Sequence, residues 1–180
     1  MSRYHHGDLP RQLLDHAAMM AAEMNPASIA LRELARRTGV THSAPVHHFG
    51  TRQGLLTELA IEGFRGLNDT LTRHPDDIHE MGTAYVLWAL NHPGHYATMW
   101  QPRSLDEGSA ELTRVRQHAW DLLSAALSHS ARPNTHTTAD GYAAFALVHG
   151  LASIWLSGAL PLPDDPSSVA RQVTARLAVD

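Results

Sequence analysis

Cysteine and lysine are both missing from this chain of 180 residues. Without cysteine, disulfides, thiolate nucleophiles and thiolate metal ligands are excluded. Without lysine, the fourteen basic residues are all arginine, whose planar fork suits phosphates and guanine edges. An apolar run at the start is missing too. The opening "MSRYHHGDLPRQ" has no stretch of the kind that follows the basic residues of a secretory signal, so a cytoplasmic protein is expected. A composition 43% hydrophobic can still enclose a sizeable core, with room for one or two domains.

The formal net charge of −4 argues against indiscriminate adhesion to DNA. That charge is unevenly spread. Residues 1–74 hold eight Arg against seven acidic groups, a balance of +1, whereas residues 75–180 hold six against eleven, a balance of −5. Half of the fourteen histidines also lie in the first stretch.

No convincing strand alternation is present, and helical spacing recurs throughout. Leu13, Ala17, Met20 and Met24 predict a first helix over 10–24, closed by Asn25-Pro26. Leu31, Leu34, Ala35 and Thr38 make one face of a short second helix that Gly39 ends by tolerating a left-handed backbone. Thr41 is placed to cap a third helix over 42–48, early enough for Pro45 to be tolerated. Thr51 caps a fourth, whose Leu56, Ala60, Phe64, Leu67 and Leu71 form a stripe. Further helices are expected over 77–91, 94–100, 108–130, 137–160 and 167–178, separated by "NHPG", "QPRSLDEG", "SARPNT" and "LPLPDDP".

The segment 142–160, "YAAFALVHGLASIWLSGAL", has no formal charge and is long enough to span a bilayer. His149 at its middle, its many small residues and the absence of flanking basic clusters favour a helix buried in protein instead. With the Val169, Val173 and Leu177 stripe of the last helix, it could form either the core of a monomer or a four-helix contact across a two-fold axis.

The sharpest local feature is "VTHSAPVHHF", residues 40–49. Zinc ligands on a helix need spacings of three or four, but His42 to His47 is five and His47 to His48 is one. A catalytic histidine needs an orienting partner, and the stretch holds no Asp or Glu. What remains is a short helix following another short helix through a tight turn, with Thr41, His42, Ser43, His47 and His48 directed outward. Val40, Pro45 and Phe49 would form its apolar underside. That is a helix-turn-helix, whose second helix fits a major groove, and Arg52 at the start of the next helix could hold a phosphate.

The run "LRELARRTGVTHSAPVHHFGTRQGLLTEL" closely resembles the DNA-binding domain of the tetracycline-repressor (TetR) family, and "YHHGDLPRQLLDHAA" resembles its first helix. "NHPGHYATMW" and "VHGLASIWLSG" resemble a C-terminal domain type of that family marked by a Trp-His-Gly signature, only partly kept here as Val148-His149-Gly150. The resemblance implies an all-α fold with a DNA-binding domain over 1–50, a connecting helix over 51–74 and an effector-binding, dimerisation domain over 75–180. It implies a cytoplasmic homodimer that binds double-stranded operator DNA and leaves it on binding a small effector, without cofactor or catalysis. Thr41 and His48 would touch phosphates, as would Arg52 where the family usually has lysine, and His42, Ser43 and His47 would face base edges. Two positions depart: Val46 replaces a common phosphate-binding tyrosine, and Ala30 replaces a capping Ser or Thr ahead of Glu33.

An effector site implies a cavity in the second domain. Trp88, Tyr96, Met99, Trp100, His118 and His149 are its candidate lining, suited to an apolar or aromatic molecule. Tyr142, Phe145, Ala152, Leu156, Val169, Val173 and Leu177 are the candidate dimer contacts. The competing functions are a metal-responsive regulator using His5, His6, His92 and His95, and a helical adaptor that does not bind DNA. An enzyme is disfavoured, for want of a nucleophile, a carboxylate pair or a phosphate loop.

Overall fold

The structure, a computed structural model, describes residues 9–130 and 138–177. Among these residues nine α-helices are present and no strand. They fall into two compact units interleaved in sequence: residues 9–63 with 93–113, and residues 64–92 with 114–130 and 138–177.

In the first unit, α1 (Leu9–Glu23) buries Leu13, Ala17, Met20 and Ala21, the spacing that its sequence predicts. Met24, the expected end of that stripe, lies beyond the helix and is exposed. A 3₁₀ turn at Pro26–Ser28, not expected from the sequence, follows Asn25, whose Oδ1 accepts the Ala27 amide at 3.0 Å. Next come α2 (Leu31–Thr38) and α3 (Ser43–Phe49), both in contact with α1. The early part of α4 (Arg52–Leu71) belongs here, with Leu55, Leu56, Leu59 and Ala60 wholly buried. The short helix α6 (Pro93–Met99) lies far along the chain yet packs on α1. Gly94 permits this, because a Cβ there would lie 1.9 Å from the Ala18 carbonyl oxygen.

The second unit holds the end of α4, α5 (Ile78–Asn91), most of α7 (Ala110–Ser130), α8 (Thr138–Leu156) and α9 (Pro166–Thr174). Asp77 starts α5 by accepting the His79 and Glu80 amides at 3.0 Å each, so two otherwise unpaired donors of the first turn are satisfied. Helix α5 packs against both α8 and α9. Gly82 marks that crossing, since a Cβ there would lie 3.0 Å from Thr174 and 3.1 Å from Val148. His79 Nδ1 meets the Thr174 carbonyl at 2.8 Å, and Arg171 Nε donates to Glu80 at 2.8 Å, which ties α9 to α5.

Helix α8 stops at Leu156 and not at residue 160 as the apolar run suggests. Gly158 adopts φ 72°, and the Gly158 and Leu160 amides turn back to the carbonyls of Trp155 and Ile154. A left-handed glycine closes the helix although the following residues are apolar. The break expected at "SARPNT" lies largely outside the described residues, as do His5 and His6. Among the described residues no helix is long and apolar enough to cross a membrane.

Candidate nucleic-acid interface

The connection between α2 and α3 is built from backbone geometry that only certain residues accept. Helix α2 begins at Ala30, which makes no side-chain cap bond, the departure visible in its sequence. It ends at Gly39, with φ 73° and ψ 27° in the left-handed region, whose amide reaches the Ala35 and Arg36 carbonyls. The Val40 amide returns to the Ala35 carbonyl at 3.0 Å. Four residues later the Ala44 amide donates to the Thr41 carbonyl at 3.0 Å and α3 has begun. The Thr41 hydroxyl was expected to cap this helix. It instead lies 3.2 Å from the Ser43 hydroxyl, and the capping position falls to His42, which makes no side-chain cap bond.

Electrostatics fasten α2 from outside. Glu33 accepts from Arg36 Nε at 2.8 Å and Arg36 Nη2 at 2.6 Å, and from Arg37 Nε at 3.2 Å. Arg37 Nη1 also donates to Glu23 at 2.7 Å, joining α2 to α1. These hydrogen bonds, Arg36 foremost, lower the Glu33 carboxyl from an ordinary 4.5 to about 2. Two of the three arginines of α2 are therefore engaged within the protein.

Helix α3 has one inward and one outward side. Pro45 is buried while Val40, Ala44 and Phe49 are half-buried, which seats the helix. Thr41, His42, Ser43, His47 and His48 are all exposed. The His47 and His48 rings meet edge-on at 5.3 Å between centroids. At the far end Gly50 takes φ 68°, and Gly54 admits the Phe49 carbonyl at a distance where a Cβ would clash, 2.2 Å. Thr51 then caps α4 as expected, its Oγ1 accepting the Gly54 amide at 3.0 Å. Arg52, exposed, is the first residue of α4. The six proposed DNA-contacting residues thus share one accessible segment of twelve, 41–52. Val46, counted in the sequence only as a lost contact, is 50% exposed on the same helix.

The candidate effector residues divide between the units. Tyr96, Met99 and Trp100 fall in the first, where Tyr96 and Met99 are buried. Trp88, His118 and His149 fall in the second, with Trp88 buried, His149 half-buried and His118 exposed on α7. Around His149 a cluster forms that its sequence only half reveals. Tyr85 Oη meets His149 Nδ1 at 3.0 Å, Phe145 stacks on the imidazole at 5.0 Å, and Tyr85 meets Phe145 edge-on at 6.2 Å. The spacing of Phe145 and His149 along one helix is readable in sequence, but Tyr85 arrives from α5. Burial lowers the His149 pKa below its usual range and favours the neutral ring.

Of the candidate dimer contacts, Tyr142 is 62% exposed and Leu156, Val169, Val173 and Leu177 are half-buried. Ala152 is wholly enclosed in its own chain and has no surface to offer a second copy. Phe145 is half-buried within the Tyr85 and His149 cluster. Among the described residues no group of three His, Asp or Glu is arranged to hold a metal ion. His92 stacks on Trp88 at 4.8 Å, and His95 Nε2 lies 3.6 Å from Glu62.

An all-helical chain carrying a helix-turn-helix in its first compact unit defines the class. Comparisons narrow it. The tetracyclin repressor-like C-terminal domain family matches residues 78–177. The HTH-type transcriptional regulator Rv1816 of Mycobacterium tuberculosis is 31% identical over 99 residues, covering 50% of this chain and 39% of the relative. The chain therefore spans about two fifths of that relative's length. A protein of unknown function from Rhodococcus sp. RHA1 is 26% identical and superposes with a TM-score of 0.75 over 98% of this chain and 97% of the other. PfmR, a TetR family transcriptional regulator from Thermus thermophilus, shares the fold at 19% identity, with a TM-score of 0.74 over 92% of each chain. This chain belongs to the tetracycline repressor-like (TetR) family.

Proposed function

We propose that the protein is a ligand-responsive DNA-binding transcriptional regulator, active as a homodimer in the cytoplasm and released from operator DNA by a small effector. The observation that carries this reading is the outward side of α3, where five hydrogen-bonding side chains are exposed beside Arg52. Hydroxyls and imidazoles on a short helix can reach base edges in a major groove, and an arginine at the start of the next helix can neutralise a phosphate. In this reading Thr41, His48 and Arg52 position the chain on the backbone, while His42, Ser43 and His47 read bases.

Two copies would pair through the outward residues of α8 and α9, chiefly Tyr142, Leu156, Val169 and Val173, so that two copies of α3 meet two half-sites about one helical turn apart. An effector lowers DNA affinity only by the difference in its own affinity for the two arrangements. In the second unit His149, a neutral polar group stacked on Phe145 and bonded to Tyr85, would be the polar anchor for an effector. Selection of bound fragments from random duplexes tests the reading. Enrichment of a two-fold symmetric site, with affinity falling as salt rises, supports it. Retention of no fragment at any salt concentration refutes it.

A further inference from the structure

Val46 is an apolar side chain that the proposed contacts leave unused. It is 50% exposed, although the other apolar residues of α3 turn inward, Pro45 fully and Ala44 and Phe49 in part. Residues three and four apart share a helix face. Val46 is three after Ser43, and His47 is four after it, so all three point the same way.

What this face can recognise follows from its chemistry. Residues 41–49 contain no Arg, Lys, Asn or Gln, so the bidentate pairs that usually select guanine or adenine are unavailable there. Hydroxyls and imidazoles can pair with hydrogen-bonding edges, yet neither recognises the 5-methyl group that distinguishes thymine. An apolar side chain does. Valine is also stiff at χ1 in a helix, so its methyl groups are already aimed and little rotamer freedom is lost on contact.

We infer that Val46 reads the 5-methyl group of one thymine in each half-site, packed between the groups that Ser43 and His47 engage. This rests on α3 being the recognition helix. The contact replaces sequence-blind attachment at this position with discrimination between thymine and the other bases.

The experiment takes the half-site obtained by selection and replaces each thymine in turn with deoxyuridine, which removes the methyl and keeps every hydrogen-bonding group. Binding of the full chain and of Val46→Ala is measured at one salt concentration. One uracil position per half-site should weaken the unsubstituted chain about four-fold, the worth of one buried methyl. Val46→Ala should bind the thymine and uracil duplexes alike. The assignment is overturned, with DNA reading by α3 left intact, if the half-site holds no thymine or if uracil is tolerated everywhere. It is equally overturned if Val46→Ala keeps the preference for thymine. If no duplex is selected above random DNA, the recognition-helix reading itself falls and the methyl contact with it.

Discussion

Replacing Gly94 by alanine tests the seat of α6 on α1, the contact that brings a distant part of the sequence into the first unit. The added Cβ would lie 1.9 Å from the Ala18 carbonyl oxygen, 2.8 Å from its carbon and 3.1 Å from the Ala22 nitrogen. All three are backbone atoms and cannot rotate aside. To reach ordinary contact at 3.4 Å the helices must part by about 1.5 Å. Tyr96 and Met99 on α6 and Leu13 and Ala17 on α1 would then lose part of their packing. Overpacking of this kind costs ~1–3 kcal/mol, while alanine returns up to ~1 kcal/mol of helix propensity. A net loss of ~1–2 kcal/mol should lower the melting temperature by roughly 2–8 °C in a chain of this size. Hydrogen exchange should show where the loss falls. Amides of α1 and α6 should exchange faster, and because α1 also contacts α2 and α3, affinity for a selected duplex should fall as well. Unchanged melting and unchanged exchange over residues 13–22 would refute the close approach of these helices.

Arg52→Ala should weaken binding to every duplex similarly and reduce the slope of log affinity against log salt by ~0.9 for each copy engaged; altered sequence preference at unchanged general affinity would contradict a phosphate contact. Leu156→Arg puts a charge on the proposed pairing surface and should give monomers by sedimentation, whereas an intact dimer would reject that surface. Glu33 should titrate near 2 by NMR. Its carboxyl is lowered by folding, so its contribution is complete above the unfolded value of 4.5 and is lost as pH falls toward 2. A midpoint above 4 would mean that the forks of Arg36 and Arg37 are not closed.

The periodic parts of the fold were legible because one physical rule governs each of them. Leu56, Ala60, Phe64, Leu67 and Leu71 repeat at helical spacing, and all are buried. Gly39 and Thr51 could be assigned from local chemistry, a left-handed helix end and a side-chain cap. Thr41 could not, since its hydroxyl has two local partners to choose between and sits against Ser43. The end of α8 is not legible in the sequence, because apolar character continues past Leu156 while the stop depends on the backbone conformation of Gly158. Long-range pairings were beyond reach for a different reason. Nothing near residue 94 announces that α6 will lie on α1, and nothing near residue 149 announces the hydroxyl of Tyr85. In the candidate interface the polar outward residues of α3 were readable from their own chemistry, whereas Val46, being apolar, could be set on that side only through the resemblance, at a position commonly held by a phosphate-binding tyrosine, and it is exposed.

The central claim is that α3 touches bases. The imidazole resonances of His42, His47 and His48, followed by NMR as a selected duplex is added, test it most directly. All three should shift in proportion to the bound fraction, and His47→Ala should cost about 1–3 kcal/mol on the selected duplex relative to random DNA. Resonances that stay in place while the duplex binds would put the nucleic acid on some other surface and contradict the account.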